Sequence, residues 1–497
     1  VDDSAANRVL SELVEAGVRE LVVCPGARNA AFITALTSDS RFKVYWHFEE
    51  RSAAFFALGR AASRHRPVAV ITTSGTAAGE LLPATMEACY SGVPLVLVTA
   101  DRPRRFRGTG APQAAEQVNL FGVYARTIDI EGDESPCWEM PRGPIHLNVA
   151  LEDPRSTPKS GEAEVLSADE FFAGAKTPQV VVGKLAEHEQ EPAVRFLVEY
   201  GAPAYLEAPS GLRGRPELKD IAVRVPDGLL GRFSFDGLVR IGGVPTHRLW
   251  RDLEDSQAHL PVISFSSVPF SGLARPNQLV TGELRETLPS VNRRADWAEL
   301  RADDRARYER LTDLLRSEPA SEPGQFLSLS RRIPAGAMVF VGNSLPVREW
   351  DLAADDQRQH SVQVSRGLNG IDGQLSTFLG MAEAGRENWA VLGDLTTLYD
   401  LAGPWIAAQM ASEISATLVV VNNDGGRIFE RMFSAKEFLN HHGRGFEDWA
   451  RMWDMPYQRV TSAAEISARP AGLSVVELVP DAAATARFWE KYREVIT

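Results

Sequence analysis

Two short runs near the end of the chain restrict its fold more than any other part of the sequence. Gly393-Asp394-Leu395 closes the apolar run Trp389–Leu392, and Asn422-Asn423-Asp424-Gly425-Gly426 closes the run Thr417–Val421. Asp394 and Asn423 stand 29 positions apart, enough for one crossover helix between two parallel strands. Such strands deliver a carboxylate and an amide to one C-terminal sheet edge, where α/β folds bind ligands. A carboxylate, an amide oxygen and a loop carbonyl are hard oxygen donors suited to Mg²⁺ held together with phosphate oxygens. Taken singly, Asp394 reads as a strand-end acid and the Asn/Gly cluster as a turn. The two together, at crossover distance, point to a phosphate-bearing ligand held with Mg²⁺.

The rest of the chain repeats the same alternation. Short continuous apolar runs, as buried parallel strands require, occur at Leu21–Cys24, Val44–Phe48, Val68–Thr73, Leu95–Thr99 and Ile145–Val149. A second group follows at Val180–Gly183, Ala204–Leu206, Leu238–Gly242, Val262–Phe265 and Leu279–Thr281. A third lies at Met338–Val341, Val362–Ser365, Ala390–Leu392, Leu418–Val421 and Val475–Val479. Polar stretches at Glu152–Glu164 and Ser317–Gly324 read as linkers, and Asp296–Arg316 as a charged amphipathic helix. The expectation is three consecutive parallel-sheet α/β domains, 1–155, 165–316 and 325–497.

Composition narrows the class. Apolar residues at 44% and charged residues at 24% describe an ordinary globular chain. A net charge of −13 argues against a nucleic-acid partner while leaving room for a local basic cleft. Cys24, Cys89 and Cys137 are widely spaced, so neither a disulfide framework nor a structural zinc site is indicated. No apolar stretch approaches the ~20 residues of a membrane span. The acidic start, Asp2-Asp3, lacks the features of a signal peptide, so a cytoplasmic location is expected.

A second candidate site lies in the first third. Phe48-Glu49-Glu50-Arg51 ends a strand, follows the Pro25-Gly26 loop by one βα unit, and precedes Thr73-Ser74-Gly75-Thr76-Ala77. A lone glutamate there would read as an acid stabilising a helix N-terminus. The order of loops is that of the pyrimidine-binding domain of thiamine-diphosphate (ThDP) enzymes.

The resemblance is more specific than that. Cys24-Pro25-Gly26-Ala27-Arg28-Asn29, Thr99-Ala100-Asp101-Arg102-Pro103 and Gly143-Pro144-Ile145-His146-Leu147-Asn148 join the runs already given. So do Val341-Gly342-Asn343-Ser344-Leu345-Pro346-Val347-Arg348 and Ser365-Arg366-Gly367-Leu368-Asn369-Gly370-Ile371-Asp372-Gly373. Together they resemble the 2-succinyl-5-enolpyruvyl-6-hydroxy-3-cyclohexene-1-carboxylate synthases (MenD) of menaquinone biosynthesis. Many ThDP enzymes have Gly-Asp-Gly where this chain has Gly-Asp-Leu, and that leucine helps select the family.

The resemblance implies decarboxylation of 2-oxoglutarate and conjugate addition of the succinyl carbanion to isochorismate. Glu50 is the implied activating acid, placed to protonate the aminopyrimidine of ThDP. Thr73, Ser74, Gly75, Gly393, Thr396 and Thr397 are the implied cofactor contacts, with Ile371 beneath the cofactor. Asp394, Asn423 and the Gly425 carbonyl are the implied ligands of Mg²⁺, with Mn²⁺ as the alternative ion. Arg28, Arg102, Gln113, Arg248, Ser344, Arg348 and Arg366 are the implied substrate contacts, with Ile428 and Phe429 as wall. Both substrates are dicarboxylates, and guanidinium groups bind carboxylates in a bidentate fork. His247, beside Arg248, is a further approach from the middle domain, with a structural loop as the other reading. The implied assembly is a homodimer, or a dimer of dimers, in which Glu50 of one subunit serves the cofactor held by Asp394 of another.

Several positions depart from the family pattern. Ala27 replaces a usual serine, Pro112 replaces an asparagine before Gln113, and Arg104-Arg105-Phe106-Arg107 is unusually basic. The connection from Thr127 to Arg142 is short. Two rival readings stand beside the synthase. One is another ThDP enzyme, such as an acetolactate synthase or a 2-oxo acid decarboxylase, against which the arginine motifs and Gly-Asp-Leu weigh. The other is a non-catalytic protein of the same fold, against which Glu50, Asp394 and Asn423 weigh.

Overall fold

The apolar runs become the strands of three six-stranded sheets in which every neighbouring pair is parallel. The computed structural model describes residues 4–135, 138–139, 143–152, 163–291, 297–410, 414–467 and 472–496. Cys137, residue 296, most of the expected 152–164 linker and part of the 127–142 connection lie outside the described residues.

The first sheet holds β1 (Glu20–Val23), β2 (Lys43–Trp46), β3 (Val68–Thr72), β4 (Leu95–Asp101), β5 (Arg126–Glu131) and β6 (Ile145–Ala150). The second holds β7 (Pro178–Val182), β8 (Ala204–Leu206), β9 (Ala222–Val223), β10 (Gly237–Ile241), β11 (Val262–Ser266) and β12 (Gln278–Thr281). The third holds β13 (Met338–Val341), β14 (Ser361–Gln363), β15 (Glu387–Gly393), β16 (Ser415–Val421), β17 (Tyr457–Val460) and β18 (Gly472–Leu478).

Central strands carry apolar residues on both faces because both faces are covered. In the first sheet Leu21, Val23, Ala69 and Ile71 join one buried cluster, while Val22, Cys24, Val68 and Val70 join another. In the third, Val339, Val341 and Val391 pack on one side, and Met338, Phe340, Ala390 and Leu392 on the other.

The first and third sheets share one topology. In their orders, β2-β1-β3-β4-β6-β5 and β14-β13-β15-β16-β18-β17, the winding of the chain across the sheet reverses next to an edge pair, between β1 and β3 and between β13 and β15. Such switch points open the crevice in which doubly wound sheets hold ligands. The second sheet runs β12-β11-β10-β7-β8-β9.

Contacts between residues divide the chain into two units. The first comprises 1–157, 367–370 and 424–443, and the second the remainder, including the second and third sheets. Within the second unit the loop after β8 touches the third sheet's layer: the Ala208 N–H donates to Asp351 at 2.7 Å, and Arg213 donates to the Asp351 carbonyl at 2.7 Å.

One expectation changes here. Ser317–Gly324 is not an open linker. Ser321, fully buried, accepts the Gly324 N–H at 3.1 Å and caps the helix Glu322–Arg332, whose first turn carries Pro323. Serine followed by proline in this way is a helix-start signal. The arginines of the unusually basic run Arg104–Arg107 are paired with acids of the same unit. Arg104 pairs with Asp129 (2.9 Å) and Glu134 (2.6 Å), Arg105 with Glu152, and Arg107 with Asp129 (2.6 Å) and Asp101 (3.3 Å).

Candidate active site

In the first unit, helix Glu50–Arg64 begins after β2. Its N-cap is Glu49, whose carboxylate accepts the N–H groups of Arg51 (2.9 Å) and Ser52 (3.0 Å). The helix-capping role that a glutamate could play here therefore belongs to Glu49. Glu50 is the first helical residue and is buried, with 6% of its surface exposed. Burial, followed by the charges of Glu50 and Glu49, pushes the Cys24 thiol well above its ordinary range, so Cys24 stays protonated near the Glu50 carboxylate.

The loops after β1, β3 and β4 converge. A Cβ on Gly26 would stand 2.6 Å from Thr73 Cβ, so only glycine admits this approach. The Arg28 N–H donates to Thr73 Oγ1 at 3.3 Å, and its guanidinium to the Leu151 carbonyl at 3.0 Å. Ser74 Oγ is buried and has no hydrogen-bond partner among the described residues. Gly75 has φ +87°, and its Cβ position lies 3.3 Å from the Gln113 Cα, itself at φ +57°. Arg102 Nε donates to the Pro112 carbonyl at 2.8 Å. The structure thus brings Arg28, Thr73, Ser74, Gly75, Arg102 and Gln113 together. The same carbonyl also gives the Pro112 substitution a place, since it is main chain and independent of side-chain type.

The segment 424–443 belongs to this unit. Gly425 has φ +118°, and a Cβ there would fall 2.0 Å from the Leu439 carbonyl oxygen. The Asp424 carboxylate accepts the N–H groups of His442 (3.1 Å) and Gly443 (2.8 Å), which holds the turn. Phe429 packs with Phe433 and Phe438, and Ile428 beside it is half-buried.

In the second unit, β13, β15 and β16 lie side by side and end at one edge, with Val341 paired to Val391 and Gly393 to Val421. Asn343 and Ser344 follow β13, Asp394 follows β15, and Asn423 follows β16. Asp394 and Thr396 are each 2% exposed, and Thr397 is fully buried. Thr397 Oγ1 donates back to the Gly393 carbonyl at 3.0 Å, and Asp394 accepts the Leu395 N–H at 2.6 Å. The Asn423 amide nitrogen donates to both oxygens of Glu322 at 3.0 Å, which turns its carbonyl oxygen away from that acid.

Ser344 sits at φ +74°, a conformation that costs a non-glycine residue strain and recurs at functional sites. Its carbonyl accepts from Arg348, while Arg366 donates to Asn343 Oδ1 at 2.8 Å. Arg348 is exposed on the helix Leu345–Ala353. Burial and then the charge of Arg348 push Arg366 down to about 10, against the opposing charges of Glu207 and Asp351. Arg366 remains cationic at neutral pH. Ile371 is half-buried beyond this loop. Arg248 lies exposed on the helix Arg248–Asp252, paired with Asp252 at 3.1 Å. His247 points inward instead, with Nε2 3.2 Å from Asp227 and Nδ1 accepting the Leu249 N–H at 3.1 Å.

Three buried polar residues have no counterpart in the sequence reading. Glu322 orients Asn423. Glu207, 1% exposed, accepts the N–H of His247 at 3.0 Å, and burial, then the charge of Asp351, raises its pKa. Gln117, fully buried, accepts the Gly75 N–H at 2.9 Å. The only signal for Glu322 was the helix-start pattern around it. Glu207 and Gln117 sit in irregular segments with no motif of their own.

Two parallel sheets of one topology, with the N-terminal match that follows, place the chain among ThDP-dependent enzymes. Residues 3–120 match the family described as thiamine pyrophosphate enzyme, N-terminal TPP binding domain. The chain is 41% identical to a 2-succinyl-5-enolpyruvyl-6-hydroxy-3-cyclohexene-1-carboxylate synthase of Bdellovibrio bacteriovorus, over 98% of each chain. Synthases of the same name from Akkermansia muciniphila (38% identical, 96% of each chain) and a Nocardioides species (36%, over 96% of this chain and 94% of the relative) are similar throughout. The chain belongs to this synthase family.

Proposed function

We propose that this chain decarboxylates 2-oxoglutarate and joins the resulting succinyl carbanion to isochorismate. The products are CO₂ and 2-succinyl-5-enolpyruvyl-6-hydroxy-3-cyclohexene-1-carboxylate, a step of menaquinone biosynthesis. The observation that carries the reading is the 41% identity over 98% of both chains to a synthase of that name.

The residues present fit the cofactor. Among the described residues no three His, Cys, Asp or Glu side chains could hold a metal ion by themselves. A site with one carboxylate, Asp394, must be completed by neutral oxygens, and Glu322 turns the Asn423 amide so that its oxygen can serve. The Gly425 carbonyl is the third implied ligand. Mg²⁺ suits such a set because it is shared with phosphate oxygens and water. The buried hydroxyl of Ser74 and the left-handed Gly75 fit a turn that receives part of a ligand. ThDP, when bound, supplies the electron sink that makes loss of CO₂ from a 2-oxo acid accessible.

The chain's own groups do the rest. Glu50, buried and relieved of capping by Glu49, holds a proton for the aminopyrimidine nitrogen. Arg28, Arg102, Arg348 and Arg366 bind the carboxylates of both substrates, with Gln113 and Ser344 as neutral donors. Arg248 remains a proposed contact, and Ile371, Ile428 and Phe429 remain proposed walls. The three-domain division drawn along the three sheets is part of the same proposal.

The assembly we propose is a homodimer or dimer of dimers with shared sites. The helix that begins at Glu50 also exposes Phe55 (43%) and Phe56 (44%), and Tyr90 (82%) is exposed on the helix packed against it. Apolar residues exposed together on a globular protein mark contact surfaces. No helix among the described residues is long and apolar enough to cross a membrane, and a cytoplasmic location is proposed with the rest. The reading is tested by incubating the protein with 2-oxoglutarate, isochorismate, ThDP and Mg²⁺. Joint, cofactor-dependent loss of both substrates is expected. Loss of 2-oxoglutarate with isochorismate untouched would instead identify a decarboxylase.

A further inference from the structure

Gln117 lies outside every motif, yet it joins the turn proposed to hold the cofactor to the turn that carries Arg102. Its surroundings fix its orientation without any choice of amide flip. Asn148, fully buried on β6, donates its amide hydrogens to Asp101 at 3.0 Å and to Asp129 at 2.9 Å. Two carboxylates can only accept, so the Asn148 oxygen must face the other way. Gln117 Nε2 donates to that oxygen at 2.9 Å, and also lies 3.3 Å from the Ala100 carbonyl. Its own oxygen is therefore the end turned to the Gly75 N–H at 2.9 Å. At the far end of the chain of bonds, Asp101 accepts the Arg102 N–H at 2.7 Å. Every polar atom of the Gln117 amide is used, and no shorter or ionised side chain could repeat the pattern.

The geometry points to Gln117 as a positioning residue that holds the Ser74–Gly75 turn in register with Arg102. It touches neither cofactor nor substrate and acts through Gly75 on one side and Asn148–Asp101–Arg102 on the other. This rests on the proposed roles of the Gly75 turn and Arg102. Removing such an outer partner typically weakens binding or activity about 10–100-fold.

The test uses the full chain and the variants Gln117→Met and Gln117→Glu. Gln117→Met keeps the length and removes all hydrogen bonds of the amide. It should raise the Kd for ThDP with Mg²⁺ and the KM for 2-oxoglutarate or isochorismate about tenfold each. Without any ligand, amide hydrogen exchange should speed up in the peptide spanning Thr73–Ala78. Gln117→Glu can reproduce the network only while protonated, donating to Asn148 and accepting from Gly75. The titratable and charged groups around it are Asp101 and Asp129 beyond Asn148, Arg107 between those acids, and His146 across Thr99. Its ThDP affinity should approach that of the wild type at acidic pH and fall as pH rises, a dependence that loss of packing would not produce. If the wild type fails to bind ThDP, the cofactor reading falls and this inference with it. If the wild type binds ThDP while Gln117→Met matches it in affinity and exchange, and Gln117→Glu shows no pH dependence, the positioning role alone is overturned.

Discussion

At the scale of single residues, the division of labour between two adjacent glutamates is the most consequential detail. Glu49 takes the two helix N–H groups, so Glu50 is not needed to cap the helix. Gln at position 50 would keep the size and remove the exchangeable acid proton. Glu50→Gln should leave ThDP binding and thermal stability near the wild type and lower turnover by about 10²–10⁴-fold. Turnover at the wild-type rate would remove Glu50 from the mechanism. The places of Glu50, Asp394 and Asn423 in the fold were legible in the sequence because motif spacing marks them: each follows a strand at the switch point of its sheet or beside it. Gln117, Glu207 and Glu322 were not. Gln117 meets Gly75, Glu207 meets Thr246 and Glu322 meets Asn423, pairs 39 to 101 positions apart in the chain, and no local pattern announces such a partner.

At the scale of elements, central strands were readable and three edge strands were not. β5, β9 and β17 each lie at the outer end of a sheet. Arg126–Glu131 alternates charged and apolar residues, Ala222–Val223 is two residues long, and Tyr457–Val460 carries Gln458 and Arg459. An edge strand has one neighbour and meets water, so its sequence loses the continuous apolar run. The edge strands β2, β12 and β14 were still visible because they kept enough apolar residues. A tie between elements also yields a pH prediction. Asp227 accepts from His247 at 3.2 Å and from the Tyr492 hydroxyl, linking the loop after β9 to the last helix. Burial pushes the Asp227 carboxyl up, but the His247 bond and charge outweigh it and hold the pKa at about 2, below 3.8. Its contribution is therefore full above 3.8 and lost as pH falls through about 2. For His247 burial pushes down, and the bond and charge of Asp227 raise it above 6.5 overall. Its contribution is full below 6.5 and lost as pH rises through the raised folded-state value. Asp227→Asn should thus cost about 1–2 kcal/mol near pH 5, read from denaturant melts, and less near pH 9. An equal loss at both would show that the His247 charge contributes nothing.

At the scale of the whole molecule, Glu50 and Asp394 belong to sheets of one topology, and the proposed assembly joins Glu50 of one subunit with Asp394 of another. Asp394→Ala should weaken Mg²⁺-dependent ThDP binding, and like Glu50→Gln it should be nearly inactive alone. Co-expressed with separate tags, the two variants would form mixed dimers with one intact site in two, and a random mixture should recover about a quarter of wild-type activity. Purified mixed dimers without activity would show that each subunit completes its own site.

The central claim is that one bond of 2-oxoglutarate breaks and its four-carbon remainder is joined to isochorismate. The most direct measurement follows 2-oxoglutarate labelled with ¹³C at the carboxyl next to the keto group, with isochorismate, ThDP and Mg²⁺, by mass spectrometry of the gas and the adduct. The account predicts the label in CO₂ and an unlabelled adduct bearing a succinyl group. Labelled CO₂ with a free aldehyde and unchanged isochorismate would contradict it.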